Sequence, residues 1–267
     1  MLANMPESDR VSVETVVVGQ GGDRDLRADL YRPPAPNGCG VLLIHGGSFI
    51  QGDRTQLRGY GILLGRAGYT CLACEYRLAP ASKWPAQIED VSTALAYLHA
   101  QAPALGLDTA KIAVSGNSAG GQLALMAAAR REAPVAAAIA FYPPTDFLGP
   151  GARALGAPDA MQYLVGDDVS EAKMQSISPA NFVRADFPPT MLVTGNQDVV
   201  VDWRDSQLMY QRLVDVGARA ELHVFEGAPH AFDALPDFGR QCAGLVSLFL
   251  DRTVLDPKPI VVPTAAG

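Results

Sequence analysis

The sequence contains no apolar run that approaches the roughly 20 residues of a membrane-spanning helix. Its opening segment, Met1 to Arg10, includes acidic residues and a proline but no apolar stretch typical of a secretory signal peptide. Both absences argue against membrane insertion and export. We therefore expect a cytoplasmic protein that has no membrane partner.

Cysteine is scarce, with 4 in 267 residues. Cys71 and Cys74 have the spacing of a redox motif, but they lie inside an apolar, strand-like run. Residues three apart in a strand face opposite sides of a sheet, so this pair favours buried structural thiols over a redox couple. No cluster of His, Cys and carboxylates has the spacing of zinc ligands, and no glycine-rich phosphate loop occurs. We therefore expect no metal site.

Basic residues are outnumbered, because 21 lysines and arginines stand against 28 acidic residues, for a net charge of -7. This balance disfavours nucleic acid and anionic membrane surfaces as partners. Hydrophobic residues make up 48% of the chain and charged residues 18%, which is typical of a globular protein with a substantial core. No internal repeat or linker divides the sequence, so residues 1–267 are expected to form a single domain.

Strand patterns predict the fold class. Val11 to Val18 and Leu26 to Tyr31 are β-rich runs on either side of a glycine-rich segment, which predicts an antiparallel hairpin at a sheet edge. From Gly40 onward strands and helices alternate, and short apolar runs are typical of parallel strands buried on both faces. The predicted class is α/β, with a mostly parallel sheet and helices on both faces. The further predicted strands are Val41 to Ile44, Tyr69 to Glu75, Lys111 to Val114, Val135 to Phe141, Thr190 to Thr194 and Ala220 to Phe225.

Helical patterns fill the intervals between these strands. Pro85 suits the first turn of a helix, and Asp202 is a candidate N-cap for a helix on which Asp205 is expected to face solvent. Phe238 to Leu250 forms the last predicted helix.

One connection, Pro143 to Pro189, is long for a link between a strand and the next element. An insertion at the carboxyl end of a parallel strand lies over the ligand crevice, so residues 143–189 are predicted to form a small lid that contains a short helix, Asp159 to Val165. The tail, residues 253–267, is expected to be loosely ordered or docked on a neighbour. The sequence is compatible with a homodimer.

The candidate nucleophile is Ser118, in the pattern Gly-x-Ser-x-Gly between Gly116 and Gly120. An apolar, strand-like run precedes the motif and a helix-forming run follows it, which is the strand–turn–helix context of a nucleophile elbow. Glycine fits both flanking positions, because a side chain there would collide where strand and helix cross closely.

A serine nucleophile needs a base, and the base needs an orienting acid. His230 lies in a loop beyond the last predicted strand, whereas His223 lies inside that strand, so His230 is the stronger candidate base. Asp198 directly follows the strand before it and is favoured as the acid over Asp202, which suits helix capping better.

The segment His45 to Phe49 follows an apolar strand, at the place where lipases and esterases carry a glycine-rich oxyanion loop. Gly46, Gly47 and Ser48 are therefore candidate backbone donors, and an ordinary Gly-Gly turn is the alternative. The N–H of Ala119, next to the nucleophile and near a helix N-terminus, is another expected donor.

Several motifs together resemble those of the hormone-sensitive-lipase-like esterases of the α/β-hydrolase fold, over about Leu26 to Leu250. The matching segments are residues 45–47 (His-Gly-Gly), 75–80 (Glu-Tyr-Arg-Leu-Ala-Pro), 85–90, 116–121, 195–198 and 229–232 (Pro-His-Ala-Phe). The resemblance implies carboxylester hydrolysis, no cofactor, and oxyanion donors at Gly47, Ser48 and Ala119. With the triad Ser118, His230 and Asp198 we expect a small-molecule ester as partner, and the modest size of the predicted lid favours short-chain esters.

The sequence departs from this family at Ser48, where a third glycine is usual, and at Ala231, where Pro-His-Gly-Phe is usual. The N-terminal part of the family's cap is also missing, so the chain looks closer to short-lidded esterases such as feruloyl and acetyl-xylan esterase domains. Residues 45–49 and 76–80 also look like those of arylformamidases, which cleave a small amide. Ligand-binding hydrolase scaffolds, such as plant gibberellin receptors, are a third and weaker alternative because they lose a triad member.

Aromatic residues near these motifs are candidates for a substrate pocket, and core filling is the alternative for each: Phe49, Trp84, Tyr142, Phe147, Tyr163 and Phe232. Tyr76 and Arg77 are expected to brace the core and loops rather than to touch substrate.

Overall fold

The computed structural model describes residues 10–149 and 158–258, and its centre is an eight-stranded sheet. The strands are β1 (Ser12–Gly21), β2 (Arg24–Arg32), β3 (Gly40–Ile44), β4 (Thr70–Cys74), β5 (Ile112–Asn117), β6 (Ala138–Phe141), β7 (Thr190–Gly195) and β8 (Ala220–Phe225). Their order across the sheet is β1-β2-β4-β3-β5-β6-β7-β8. β2 pairs antiparallel with β1 and β4, and every other neighbouring pair is parallel. The predicted α/β class is confirmed.

Seven α-helices flank the described sheet: α1 (Arg58–Arg66), α2 (Ala86–Leu105), α3 (Ala119–Arg130), α4 (Pro158–Val165), α5 (Glu171–Ile177), α6 (Trp203–Asp215) and α7 (Pro236–Leu250). Buried residues of α2, α3 and α6 belong to the hydrophobic cluster on one face, and those of α1 and α7 to the cluster on the other. Helices therefore cover both faces, as the strand pattern predicts.

Helix α1 was not predicted from the sequence, because its several glycines weaken the helical pattern. Gly61 has a packing reason, since a Cβ there would lie 2.7 Å from atoms of the Tyr31 ring. The helix thus packs closely on the strands, and tertiary contact outweighs its low helix propensity.

The hairpin at the sheet edge differs in detail from the prediction. β1 continues to Gly21 through an irregularity between Val17 and Gly19, and only Gly22 and Asp23 form the turn. Most of the predicted glycine-rich separator therefore pairs as strand. An extra residue in one strand bends it without ending the pairing.

All four cysteines are buried free thiols. Cys71 belongs to the hydrophobic cluster on one face of the sheet and Cys74 to the cluster on the other, which confirms the structural interpretation of this pair. Burial raises the pKa of the Cys74 thiol to about 12, so it stays protonated at neutral pH.

Side-chain hydrogen bonds fix the loop after β4. The backbone N–H of Arg77 donates to Asp90 at 2.8 Å, and its guanidinium donates to both oxygens of the same buried carboxylate. The Tyr76 hydroxyl donates to the carbonyl of His45 at 3.0 Å. Both residues brace the loops, as predicted.

Helix α6 begins as predicted, with the Asp202 carboxylate accepting from the N–H of Arg204 at 2.9 Å. The expectation that Asp205 faces solvent is wrong, because this residue is only 2% exposed. Its carboxylate accepts from the N–H of Thr145 at 3.3 Å, and Thr145 Oγ1 donates to its carbonyl at 2.8 Å. Asp205 therefore anchors the chain that leaves β6.

The long connection after β6 contains two helices, α4 and α5, of which α5 was not predicted. Leu164 and Ile177 are fully buried in the core cluster that also contains residues of α3, so the described part of the connection packs on the body of the domain. Residues 150–157 lie outside the described residues. In the tail, Val254 is 7% exposed and packs on the core, while residues 259–267 also lie outside the description.

None of the described helices is both long enough and apolar enough to cross a membrane.

Candidate active site

Ser118 occupies a sharp turn between β5 and α3. β5 ends at Asn117 and α3 begins at Ala119, so one residue makes the whole turn. Its φ of 54° and ψ of -120° lie outside the regions that L-residues favour, and its N–H donates to the carbonyl of Phe141 at 2.8 Å. This strained geometry presents the hydroxyl at the carboxyl edge of the parallel strands.

The structure brings the three predicted triad residues together. His230 Nε2 lies 3.0 Å from Ser118 Oγ, and His230 Nδ1 lies 2.7 Å from Asp198 Oδ2. The other oxygen of Asp198 accepts from the N–H groups of Val200 and Val201 at 2.8 and 2.9 Å. This carboxylate is fully buried yet hydrogen-bonded at both oxygens, so its orientation toward His230 is fixed.

The competing candidates lie elsewhere. His223 is in β8, about one-third exposed, and its Nε2 is 3.4 Å from Glu221 Oε2. Asp202 caps α6, as described above. Neither residue lines the cavity that contains Ser118.

The candidate oxyanion loop turns back on itself, since the carbonyl of Gly47 accepts from the N–H groups of Ile50 and Gln51 at 3.0 and 3.1 Å. Within the described residues, the N–H groups of Gly47, Ser48 and Ala119 donate no hydrogen bond to another protein group. Ser48 has a φ of 53°, so it adopts the left-handed conformation for which the usual glycine is suited. The serine at this position therefore keeps the turn.

His45, at the start of this loop, packs beneath it in the protein interior. It is fully buried, and its ring stacks on Tyr76 with the centroids 4.2 Å apart. Burial lowers the pKa of His45, so the ring is neutral at pH 7. Its Nδ1 lies 2.7 Å from the carbonyl of Gly46, which makes Nδ1–H the donor.

A cavity of about 780 Å³ opens over these residues. Its walls include Ser118, His230 and the glycine loop, together with residues of α1 and of the segment that leads into α7. The lining residues are Gly46, Gly47, Ser48, Gln51, Gln56, Leu57, Gly59, Tyr60, Leu63, Arg66, Asn117, Ser118, Tyr142, Val200, His230, Ala231, Asp233, Ala234, Pro236, Gly239 and Arg240.

Of the six aromatic residues predicted for the pocket, only Tyr142 lines this cavity. The other five, which were predicted to line the pocket, do not line this cavity. Phe49, Phe147 and Phe232 are buried in the core, Trp84 packs against the core, and Tyr163 is 42% exposed on α4. No described residue of the 143–189 connection lines the cavity either, because the buried residues of its helices belong to the hydrophobic cluster on the opposite face of the sheet from α1 and α7.

Most residues of the cavity wall were not predicted from the sequence, and Tyr60 and Asp233 are two of them. Tyr60 lies on the unpredicted helix α1, and Asp233 follows the histidine loop in the short 3-10 helix Phe232–Ala234. The Asp233 side chain is buried and accepts hydrogen bonds from Tyr60, Asn117 and Tyr142. No short motif includes these residues, and the only local indication is an acid three positions after the candidate base.

Ala231 gives a test of backbone strain in the histidine loop. Its φ of 57° and ψ of 27° are left-handed, so the Ala231→Gly variant should gain about 1 kcal/mol of unfolding free energy. We expect its melting temperature to rise by about 2–4 °C in a thermal scan. Gly227→Ala, at a φ of 68° in the same loop, should shift the melting temperature in the opposite direction. An unchanged or lower value for Ala231→Gly would contradict the assignment of strain.

Comparison with known proteins agrees with this geometry. The BD-FAE family model matches residues 28–213, well over half of the chain. Esterase LipC of Mycobacterium tuberculosis is 30% identical over 249 residues, or 85% of this chain, and the chain spans 60% of the length of that relative.

Two solved structures share the fold. The bacterial heroin esterase aligns with a TM-score of 0.80 and 28% identity, covering 94% of this chain and 87% of its own. The propionate-bound esterase Est2 of Thermogutta terrifontis aligns with a TM-score of 0.76 and 26% identity, covering 95% and 98%. With the family model matched over most of the sheet and the triad geometry in place, this chain belongs to the BD-FAE family and has the α/β-hydrolase fold of its esterase relatives.

Proposed function

We propose that this protein is a serine carboxylesterase that cleaves short-chain esters through an acyl-enzyme. The observation that carries the proposal is the unbroken hydrogen-bond chain from Asp198 through His230 to Ser118 inside an open cavity. A nucleophile, a base in contact with it and an acid that orients the base are the parts that acyl transfer requires.

In the proposed acylation, Ser118 Oγ attacks the ester carbonyl carbon while His230 Nε2 takes the hydroxyl proton. Asp198 holds Nδ1–H and stabilises the imidazolium that forms. The tetrahedral intermediate then collapses, the C–O bond to the alcohol breaks, and His230 returns the proton to the leaving oxygen. Water attacks the acyl-enzyme with the same histidine as base, which releases the acid and restores Ser118.

The negative charge that develops on the carbonyl oxygen needs preorganised donors. The N–H groups of Gly47, Ser48 and Ala119 are proposed for this role, and Gly46 lines the cavity beside them. Their support is that they lack protein acceptors among the described residues and that two of them lie on the loop next to Ser118.

Short acyl chains are proposed because the relatives are esterases and one neighbouring structure carries propionate. The cavity of about 780 Å³ is of the size that holds small molecules, and the connection at 143–189 adds no described wall to it. A small-molecule ester as substrate and a cytoplasmic location are part of this proposal.

A panel of p-nitrophenyl esters from acetate to palmitate, together with N-formylkynurenine, tests the proposal. The value of kcat/KM should be highest for acyl chains of two to about four carbons and fall steeply toward palmitate. Formamide turnover far above ester turnover would support the arylformamidase alternative instead. A ligand-binding scaffold would leave every substrate intact, and an organophosphonate would then fail to label Ser118.

A further inference from the structure

Asp233 is a second carboxylate in the cavity wall, and the proposed mechanism does not use it. Its side chain is only 7% exposed, and no described Lys, Arg or His pairs with it. An isolated buried carboxylate is destabilising unless hydrogen bonds satisfy it. Here Tyr60 Oη donates to Oδ2 at 2.9 Å, Asn117 Nδ2 donates to the same oxygen, and Tyr142 Oη donates to Oδ1.

Two of these donors touch the triad from different sides. Asn117 is the last residue of β5 and directly precedes Ser118. The Tyr142 ring packs edge-on against the His230 ring, with centroids 4.5 Å apart and planes at 60°. Asp233 itself lies three residues beyond His230 on the same loop. One carboxylate therefore joins the nucleophile turn, the histidine loop and the ring that contacts the base.

The backbone of Tyr142 adds a second indication. Its φ of 39° is positive, which is rare and unfavourable for an aromatic residue. Such a conformation persists where the surroundings hold it, and the hydroxyl bond to Asp233 and a 2.6 Å bond from its N–H to the carbonyl of Val193 do so here. Both the backbone and the hydroxyl of Tyr142 are thus held, which fixes the position of its ring beside His230.

The two tyrosines that donate to Asp233, and the Cys242 thiol, stay uncharged at neutral pH. Burial raises the pKa values of Tyr60 and Tyr142 far above the usual tyrosine range, and the negative charge of Asp233 raises them further. Burial and the same charge raise the pKa of Cys242 to about 12. The two hydroxyls therefore keep their protons at neutral pH and act as hydrogen-bond donors to Asp233.

We propose that Asp233 is a positioning residue of the reaction, which holds Asn117 and Tyr142 in place and stabilises the imidazolium of His230 by its charge. This inference rests on the proposed esterase mechanism, in which His230 becomes positive as it takes the Ser118 proton. Asp198 orients the base by direct contact, and Asp233 acts on it through the Tyr142 ring. The other titratable or charged groups around the pair are Asp198, Tyr60, Tyr142, Cys242, Arg66 and Arg240.

The variant Asp233→Asn tests the role of the charge, because the amide has nearly the same shape but no charge. Its oxygen can still accept from Tyr60 and Asn117, and its NH2 can donate to Tyr142 Oη once that hydroxyl turns away. Removal of a nearby negative charge disfavours the imidazolium form of a histidine relative to its neutral form. We expect the acid limb of the kcat/KM profile for p-nitrophenyl acetate to move about one pH unit lower. The plateau kcat should fall on the order of 10-fold, because the imidazolium that forms in the transition state loses stabilisation. KM should change much less.

Asp256→Asn is the matched control, since it removes the same charge from a side chain that is 69% exposed and does not line the cavity. Solvent screens an exposed charge, so its acid limb should coincide with that of the unmodified protein. A structural role for Asp233 alone would lower stability and the plateau without moving the acid limb. An acid limb for Asp233→Asn that coincides with the control would overturn the electrostatic role.

Tyr142→Phe tests the tether separately and keeps the proposal testable if Asp233→Asn does not fold. It retains the ring against His230 and the carboxylate charge but removes one donor, so kcat should fall several-fold while the acid limb stays in place. An unchanged kcat would overturn the positioning role. In either case, phosphonate labelling of Ser118 and hydrolysis by the unmodified protein show separately whether the proposed esterase mechanism itself stands.

Discussion

Ser118→Ala is expected to lower kcat for p-nitrophenyl acetate by at least roughly 10⁴-fold. The proposed mechanism has no other group that can form the acyl-enzyme, so the variant retains only the catalysis that oxyanion binding of an attacking water supplies. His230→Ala should give a loss of similar size, because an unassisted serine hydroxyl is a weak nucleophile. The double variant should be no slower than either single variant.

His223→Ala is the matched control for the histidine. It removes the same side chain from β8, at a site that does not line the cavity, so we expect kcat within about twofold of the unmodified protein. Two measurements check these predictions. The first is kcat of the purified variants, and the second is labelling of the unmodified protein by an organophosphonate, with the labelled residue located by peptide mass spectrometry. Substantial hydrolysis by Ser118→Ala, or a label on another residue, would reject the nucleophile assignment.

The order of the catalytic candidates could be predicted because each lies in a local pattern. Ser118 lies between two glycines after a strand, Asp198 follows the next-to-last strand, and His230 follows the last. Parallel strands bring their carboxyl ends to one edge, so loops that are remote in sequence meet there. As a result, His230 Nε2 lies 3.0 Å from Ser118 Oγ and His230 Nδ1 lies 2.7 Å from Asp198 Oδ2.

The cavity wall could not be predicted in the same way. Tyr60 and Asp233 are 173 positions apart, and their contact depends on how α1 packs to form part of the cavity wall. The glycines of α1 hide its helical pattern, so the element that carries Tyr60 was not anticipated. Aromatic residues such as Phe49 and Phe147 were misplaced because size and hydrophobicity suit a core as well as a pocket.

Backbone strain is concentrated where the site forms. Among described residues that are not glycine, six have positive φ, and all but Arg131 lie at the loop, turn and strand ends around the triad: Ser48, Phe49, Ser118, Tyr142 and Ala231. Each such residue costs on the order of 1 kcal/mol or more, which the surrounding packing must offset. The two departures from the usual glycine pattern, Ser48 and Ala231, belong to this set. The chain therefore keeps these left-handed turns without glycine. The geometry of the site is retained, and the free energy of unfolding is lowered instead.

Gly120→Ala is expected to lower the free energy of unfolding by at least about 3 kcal/mol, or to prevent folding. In an ordinary helix this change is stabilising, because alanine has the higher helix propensity. At this position in the first turn of α3, however, a Cβ would lie 2.1 Å from the carbonyl oxygen of Ile44 and 2.4 Å from that of His45. Both are backbone atoms, so no side-chain rotation relieves the clash.

The contact also has a catalytic consequence, because Ile44 ends β3 and leads directly into the candidate oxyanion loop. Any Gly120→Ala protein that folds must move the nucleophile helix away from this loop, so kcat should fall more than KM rises. Gly244→Ala is the control in α7, where a Cβ would meet nothing within 4 Å, and it should stabilise the protein by up to about 1 kcal/mol. Urea unfolding followed by circular dichroism measures both variants. If Gly120→Ala matched the unmodified protein in unfolding free energy and kcat, the close approach of α3 to β3 would not be what aligns the nucleophile with its oxyanion donors.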